Sequence, residues 1–177
     1  MSGLAQATRR RHAQALRIAL FEPEIAGNVG AVLRLGACLG AAVDLIEPMG
    51  FVWDDRRGRR AAGGHIDPVA NGRHAGFDAF RGTVGTNRLI LFTTRASQSP
   101  YDFAFRPDDV LLFGKESAGV PDHVAEACDA RVRIPIRPQV RSMNLATAAA
   151  IALAEALRQT GGLPATARSG TSGATTW

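Results

Sequence analysis

Arg133-Ile-Pro-Ile-Arg-Pro-Gln-Val-Arg-Ser-Met-Asn-Leu145 is the stretch that decides how this chain folds. It predicts a short β-branched strand, a tight proline-bounded loop and then a long alanine-rich helix. Pro135, between Ile134 and Ile136, has no N–H to give to a ladder, so it ends the strand or sits at its edge. Pro138 stiffens the loop. Ser142 stands where an N-cap belongs, and Met143 to Gln159 continues in good helix formers. Leu145, Ala149, Ala152, Leu153, Ala156 and Leu157 recur at helical spacing and give one apolar face. Such a junction gathers backbone N–H groups, a hydroxyl and the Asn144 amide in one small volume. It is a ligand-binding arrangement if other loops join it.

Upstream, short apolar runs alternate with helical patterns. Arg17-Ile-Ala-Leu-Phe21 reads as a first strand, apolar after Arg17 and so central in a sheet. Pro23 breaks it. Asn28 is a candidate cap for a helix reaching about Cys38, with Val29, Val32, Leu33, Gly36 and Leu39 on one face and Arg34 pointing away from it. Val43 to Ile46, Arg88 to Thr93 and Val110 to Phe113 predict further strands. Phe77 to Phe80 reads as a helical fragment, and Arg95 to Asp109 as a long polar loop. Gly114-Lys-Glu-Ser-Ala-Gly-Val-Pro121 follows the Val110 strand, its two glycines allowing close backbone approach to a ligand. Pro121 to Ala127 predicts a short helix with proline in its first turn. This alternation implies an α/β domain, a mostly parallel sheet with helices on both faces, and ligands bound outside the carboxyl ends of its strands.

The chain has 177 residues, of which 46% are hydrophobic, enough for one domain with a sizeable core. Its boundaries are expected at 16–160, with a flexible basic extension over 1–15 and a Gly/Ser/Thr/Ala-rich, disordered tail over 161–177. The formal net charge is +5 and the isoelectric point about 10.5, values that suit an acidic partner such as nucleic acid. Of 21 lysines and arginines only Lys115 is lysine, a bias that a GC-rich genome would also produce. Asp54-Asp-Arg-Arg-Gly-Arg-Arg60 reads either as a solvated, internally paired surface or as a phosphate-facing patch. No apolar h-region follows Arg9 to Arg11, and the run near Leu145 to Ala154 is too short to span a bilayer, so a cytoplasmic protein without a membrane partner is expected. Cys38 and Cys128 are widely separated and read as reduced, buried thiols.

Several motifs are absent from the chain. There is no G-x-G-x-x-G after the first strand, no complete P-loop around Gly114-Lys115-Glu116-Ser117, and no G-x-S-x-G elbow. His12, His65, His74 and His123 are scattered without H-E-x-x-H or a cysteine partner, so no metal site is expected.

Three segments together resemble the motifs of the SPOUT methyltransferases. They are Glu22-Pro-Glu-Ile-Ala-Gly-Asn28 with Arg34, then Phe113-Gly-Lys-Glu-Ser-Ala-Gly-Val-Pro121, then Ile134-Pro-Ile136 with Arg141-Ser-Met-Asn-Leu145. Within that superfamily, Ile46-Glu-Pro-Met-Gly-Phe-Val-Trp-Asp-Asp55 followed by Arg59-Arg60-Ala61 is similar to the tRNA (cytidine/uridine) 2′-O-methyltransferases that act on the wobble nucleotide. The resemblance covers roughly Arg17 to Gln159. It leaves out both ends and fits poorly over Gly63 to Gly76, and Lys115 stands where the family commonly has proline.

The resemblance implies a C-terminal trefoil knot, a homodimer, S-adenosylmethionine as cofactor and the anticodon region of tRNA as partner. It places Phe92, Gly114, Glu116, Ile134 and Ser142 at the cofactor, held largely through main-chain groups. It assigns the reacting ribose to Arg34, Asn28, Ser142 and Asn144. Arg34 would stabilise the 2′-oxygen as it loses its proton, because a guanidinium is protonated at any ordinary pH and is a poor base. Glu116 read from the residues alone would cap N–H groups of its own loop. The readings that compete are the same chemistry on another tRNA position or on rRNA, an RNA-binding protein that keeps the fold without turnover, and an unrelated flavodoxin-like phosphate-binding domain.

Overall fold

The apolar runs Arg17–Phe21 (β1), Ala42–Ile46 (β2), Leu89–Phe92 (β4) and Val110–Phe113 (β5) form the body of one sheet, and Gly72–His74 (β3) and Ala130–Val132 (β6) close its edges. The computed structural model describes residues 16–54 and 71–165. The 1–15 extension, the Arg56 to Ala61 part of the basic cluster, most of the Gly63 to Gly76 segment and the tail beyond 165 lie outside the described residues. The strand order is β3-β2-β1-β5-β4-β6, and every pairing is parallel. As expected of parallel strands covered on both sides, β1 is buried after Arg17 and β2 and β5 throughout.

Side-chain alternation divides the core in two. Ile18, Leu20, Val43, Leu45, Ile90, Leu111 and Phe113 point to one face, where they meet the helices Ala26–Leu39 (α1) and Leu145–Thr160 (α4). Ala19, Phe21, Leu89, Leu91, Val110 and Leu112 point to the other, under Phe77–Val84 (α2) and Asp122–Glu126 (α3). The predicted stripe Leu145, Ala149, Ala152, Leu153, Ala156 and Leu157 is buried throughout. Its alanines let α4 lie close against α1 and the sheet.

Asp44 is wholly buried in β2, yet it is fully partnered. Arg17 of β1 grips it through Nε and Nη2 at 2.8 and 2.9 Å, and His74 Nε2 of β3 lies at 2.8 Å. Burial alone would push the Asp44 carboxyl up, but the hydrogen bonds from His74 and Arg17 outweigh it and hold the group below its ordinary value. Three strands are thereby cross-linked beneath the site.

Some local expectations are corrected. The strand placed at Arg133–Ile136 is Ala130–Val132 instead, and Ile134 to Ile136 is irregular. Strand pairing needs N–H groups that Pro135 lacks, so the ladder to β4 stops before it. The cap of α4 is Asn144, not Ser142: its side-chain oxygen accepts from Thr147 N at 3.2 Å. Asn28 does not cap α1. It is the third helical residue and is buried, and Ile25 holds the cap position with no side-chain bond. Gly161 belongs to the end of α4, donating its N–H to Leu157 O, and does not begin the tail. Cys38 is exposed and Cys128 partly so.

Candidate active site

The chain order places the site. From β1 it moves outward to β2 and β3, and it returns on the other side to β4 and β5. The loops leaving the neighbouring strands β1 and β5 therefore turn to opposite faces, α1 packing on one and α3 on the other. Such a switch opens a crevice at the carboxyl ends of the strands. A cavity of about 770 Å³ lies there, lined among others by Leu91, Phe92, Phe113, Ile134, Ile136 and Leu145.

Three loops wall this cavity, and polar side chains tie them together. Glu116, after β5, accepts hydrogen bonds from Glu24 N and from Asn28 Nδ2, both at 2.8 Å. Asn28 Oδ1 accepts in turn from Asn144 Nδ2 at 2.9 Å, and Asn144 caps α4. One carboxylate and two amides thus join the β1–α1 turn, the β5–α3 loop and the start of α4. The expectation that Glu116 caps its own loop is corrected: its partners, Glu24 N and Asn28 Nδ2, lie across the cleft.

A second clip runs alongside. Glu24 takes the Ser117 N–H at 2.8 Å and the Ser117 hydroxyl at 2.7 Å, and these bonds hold its carboxyl below the usual range. Lys115 Nζ meets Glu22 at 2.9 Å, a contact that raises the lysine's affinity for its proton. Glu22 itself bears a φ of 46°, a left-handed conformation rare for a residue with a side chain and typical of turns at functional sites. Lys115 and Gly119 exchange backbone hydrogen bonds of 3.1 and 2.9 Å, folding the loop back on itself. Gly119 has φ +73°, and a Cβ on Gly114 would lie 2.3 Å from the Gly119 carbonyl carbon, so both positions require glycine.

Of the residues singled out from sequence, Asn28, Phe92, Gly114, Glu116, Ile134, Ser142 and Asn144 all line the one cavity. Arg34 does not. It lies on the exposed side of α1, about 1.7 turns along from Asn28 and about 120° round the helix.

The model of the SpoU rRNA Methylase family matches residues 15–154. The chain belongs to this family. Among SpoU relatives, the tRNA (cytidine(34)-2′-O)-methyltransferase of Beijerinckia indica is 54% identical over 148 residues, covering 82% of this chain and 92% of that one. The protein of the same name from Escherichia coli K12 is 40% identical over 82% of this chain and 94% of its own. A solved structure described as giving insights into the 2-OH methylation of C/U34 on tRNA superposes with a TM-score of 0.75 at 37% identity, covering 83% of this chain and 97% of its own. The SpoU methyltransferase AviRb from Streptomyces viridochromogenes, solved with AdoMet, gives 0.69 at 26% identity, covering 82% of this chain and 58% of its own.

In the SpoU fold of this chain, sequence reasoning missed Glu24, Ser117 and the Lys115–Glu22 pair. It also missed the arginines at the cavity, Arg95, Arg131, Arg133 and Arg141. The one available signal was a pair of glutamates flanking Pro23 just after a buried strand. No periodicity relates them to a loop some 93 residues on.

Proposed function

We propose that this chain transfers a methyl group from S-adenosylmethionine to the ribose 2′-hydroxyl of the wobble nucleotide, cytidine or uridine 34, of tRNA. The observation that carries the reading is its 54% identity to a tRNA (cytidine(34)-2′-O)-methyltransferase across nearly the whole of that protein. The cavity is consistent with it. Its volume of about 770 Å³ falls in the range of small-molecule sites, roughly 300–1,000 Å³. Its apolar wall of Leu91, Phe92, Phe113, Ile134 and Leu145 suits a purine ring.

S-adenosylmethionine supplies an electrophilic methyl on a sulfonium. Phe92, Gly114, Glu116, Ile134 and Ser142 are the residues that would hold it, chiefly by their main chains. Gly114 allows backbone contact because nothing projects from its Cα, and Glu116 fixes the loop that carries it. Asn28 and Asn144, already bonded to each other, orient polar groups at the ribose end together with Ser142.

Arg34 is assigned the charge that forms on the 2′-oxygen. A guanidinium stays protonated, so it stabilises the developing alkoxide and leaves the proton to an RNA phosphate or water. Its place outside this chain's own cavity lining fits a role on RNA laid across the site rather than on the cofactor. A homodimer, a C-terminal trefoil knot around the 133–144 loop, binding at the anticodon region and a cytoplasmic location complete the reading. Exposed Ile25 and Val140 near the cavity mouth are apolar surface that a second copy would cover.

The test is methyl transfer from labelled S-adenosylmethionine to unmodified bulk tRNA and to rRNA, with the product mapped by mass spectrometry. A 2′-O-methyl group at nucleotide 34 is the expected result. Methylation only at another tRNA position or in rRNA would replace the substrate. S-adenosylmethionine binding without transfer would favour the binding-only alternative.

A further inference from the structure

Two groups stand out among the described arginines by what they touch. Arg17, Arg73, Arg88 and Arg158 are each held by a carboxylate, from Asp44, Glu47, Asp109 and Glu155 respectively. Those four pairs tie strands, loops and helix turns together.

Arg95, Arg131, Arg133, Arg137 and Arg141 are different. All five are exposed, and none has a side-chain hydrogen bond or ion pair among the described residues. Four of them line the cavity, and Arg137 lies between Arg133 and Arg141 on the loop that forms its outer wall. Their backbones are held in place. Arg133 N donates to Gln98 O at 2.8 Å, Arg95 N to Thr93 Oγ1 at 3.2 Å, and Arg137 O accepts from Val140 N at 3.0 Å.

The acids at this end do not compensate them. Glu22, Glu24 and Glu116 are engaged by Lys115, Ser117 and Asn28 on the opposite wall. Of these only Glu116 lines the cavity, together with Asp122 in the first turn of α3. Positive charge is therefore concentrated on one rim, on side chains with nothing else to hold. Arginine's planar fork of donors suits phosphate oxygens, and an excess of one sign beside a cleft draws in ligands of the other.

We propose that Arg95, Arg131, Arg133, Arg137 and Arg141 form a phosphate track that carries the RNA backbone on either side of the nucleotide entering the cavity. The inference rests on the tRNA reading for its partner, and the charge distribution supplies the location. Such contacts set register and affinity and carry no base preference.

The experiment measures binding of bulk tRNA to the full chain saturated with S-adenosylhomocysteine, between about 50 and 300 mM salt. Wild type is compared with Arg95→Gln, Arg133→Gln and Arg137→Gln, singly and combined, and with the matching lysine variants. Each glutamine is expected to weaken tRNA binding about tenfold near 0.1 M salt and to lower the slope of log K against log salt by about 0.7. Lysine should restore most of the slope, since it remains a point charge for phosphate. S-adenosylhomocysteine affinity should hold steady in Arg137→Gln, the one of the three that lies outside the cavity lining.

An unaltered slope in the combined variant overturns the track, as does a loss that falls on S-adenosylhomocysteine alone. Wild type that binds tRNA without salt dependence overturns it too. Mapping the methylated nucleotide in parallel separates the two readings: methylation elsewhere with an arginine-dependent slope would unseat the wobble assignment and leave the track standing.

Discussion

Asn28 and Glu116 lie 88 residues apart in the chain, and their side chains meet at 2.8 Å. The contact joins the first turn of α1 to the loop after β5, across the line where the sheet changes direction. Asn28 is 8% exposed, so its amide depends on protein partners, and Glu116 and Asn144 supply them.

Removing Glu116 tests that joint. Glu116→Ala leaves the Asn28 amide and the Glu24 N–H without their acceptor, a loss of about 1–3 kcal/mol in stability. Because Asn28 and Glu116 both line the cavity, S-adenosylhomocysteine affinity should fall at least about tenfold, which corresponds to roughly 1.4 kcal/mol. Urea denaturation and calorimetric titration of one variant give both numbers. Unchanged affinity would detach the joint from cofactor binding.

Gly114→Ala is expected to be worse tolerated than its one added methyl suggests. The new Cβ would press on Gly119 backbone atoms, which cannot rotate away. Overpacking of this kind costs about 1–3 kcal/mol. Gly119→Ala forces a side chain into a left-handed backbone, at roughly 1–2 kcal/mol. Thermal melts of the two variants, with and without S-adenosylhomocysteine, should show Gly114→Ala losing the ligand-dependent gain as well.

Asp44 makes stability depend on acid. Its folded carboxyl binds a proton less readily than the ordinary value of 3.8, so the unfolded chain takes up protons first as pH falls. The contribution is complete above that ordinary value and disappears as pH drops through the lower folded one. Asp44→Asn should flatten the unfolding free energy over that acid window. Asp44→Ala leaves Arg17 half-embedded without its partner and should cost about 3–5 kcal/mol. Denaturation curves from about pH 2.5 to 6 would read both.

The two thiols should differ in reactivity. Burial raises the Cys128 thiol to about 11, and its Sγ donates to Val124 O at 3.2 Å. Cys38 is exposed on α1. Because the thiolate is the reactive form, iodoacetamide at neutral pH should label Cys38 first, with Cys128 following only after denaturation. Peptide mass spectrometry over time settles the order.

Arg34→Ala addresses the chemistry. On the role proposed for it at the developing alkoxide, its loss should lower kcat about 10²–10³-fold and leave S-adenosylhomocysteine affinity intact. Arg34→Lys should recover only part of the rate, since an ammonium lacks the guanidinium fork. A proportional loss of cofactor affinity would place Arg34 in a structural role instead.

Much of this molecule could be read from local pattern. Ile18 to Phe21 and Val110 to Phe113 are apolar without interruption and Val43 to Ile46 is broken only by Asp44, as suits strands covered on both faces. The α4 stripe from Leu145 to Leu157 fixes which side of that helix meets the sheet. The motif residues Asn28, Gly114, Glu116, Ile134, Ser142 and Asn144 were visible as a set only through the resemblance to the SPOUT methyltransferases, because each read singly passes as an ordinary core, cap or loop residue. What misled was chemistry with two near-equal local solutions. Ser142 and Asn144 are both good caps, and the choice fell to Asn144, which also reaches Asn28. Ile134 and Ile136 have strand character, but the ladder with β4 had already stopped at Val132.

The sequence by itself determined the α/β class, the parallel core and the loops that carry the site, because burial and period are properties of neighbours a few residues apart. Only the tertiary structure decided which polar groups pair. Glu116 was free to bond its own loop and instead crosses to Glu24 and Asn28. Ser117 and Lys115 engage glutamates more than ninety residues away, and among the described residues the five arginines at the cavity rim have no acid to hold. Hydrogen bonds of about 3 Å depend on strand order and on the face each loop turns toward, and no spacing along the chain encodes that distance.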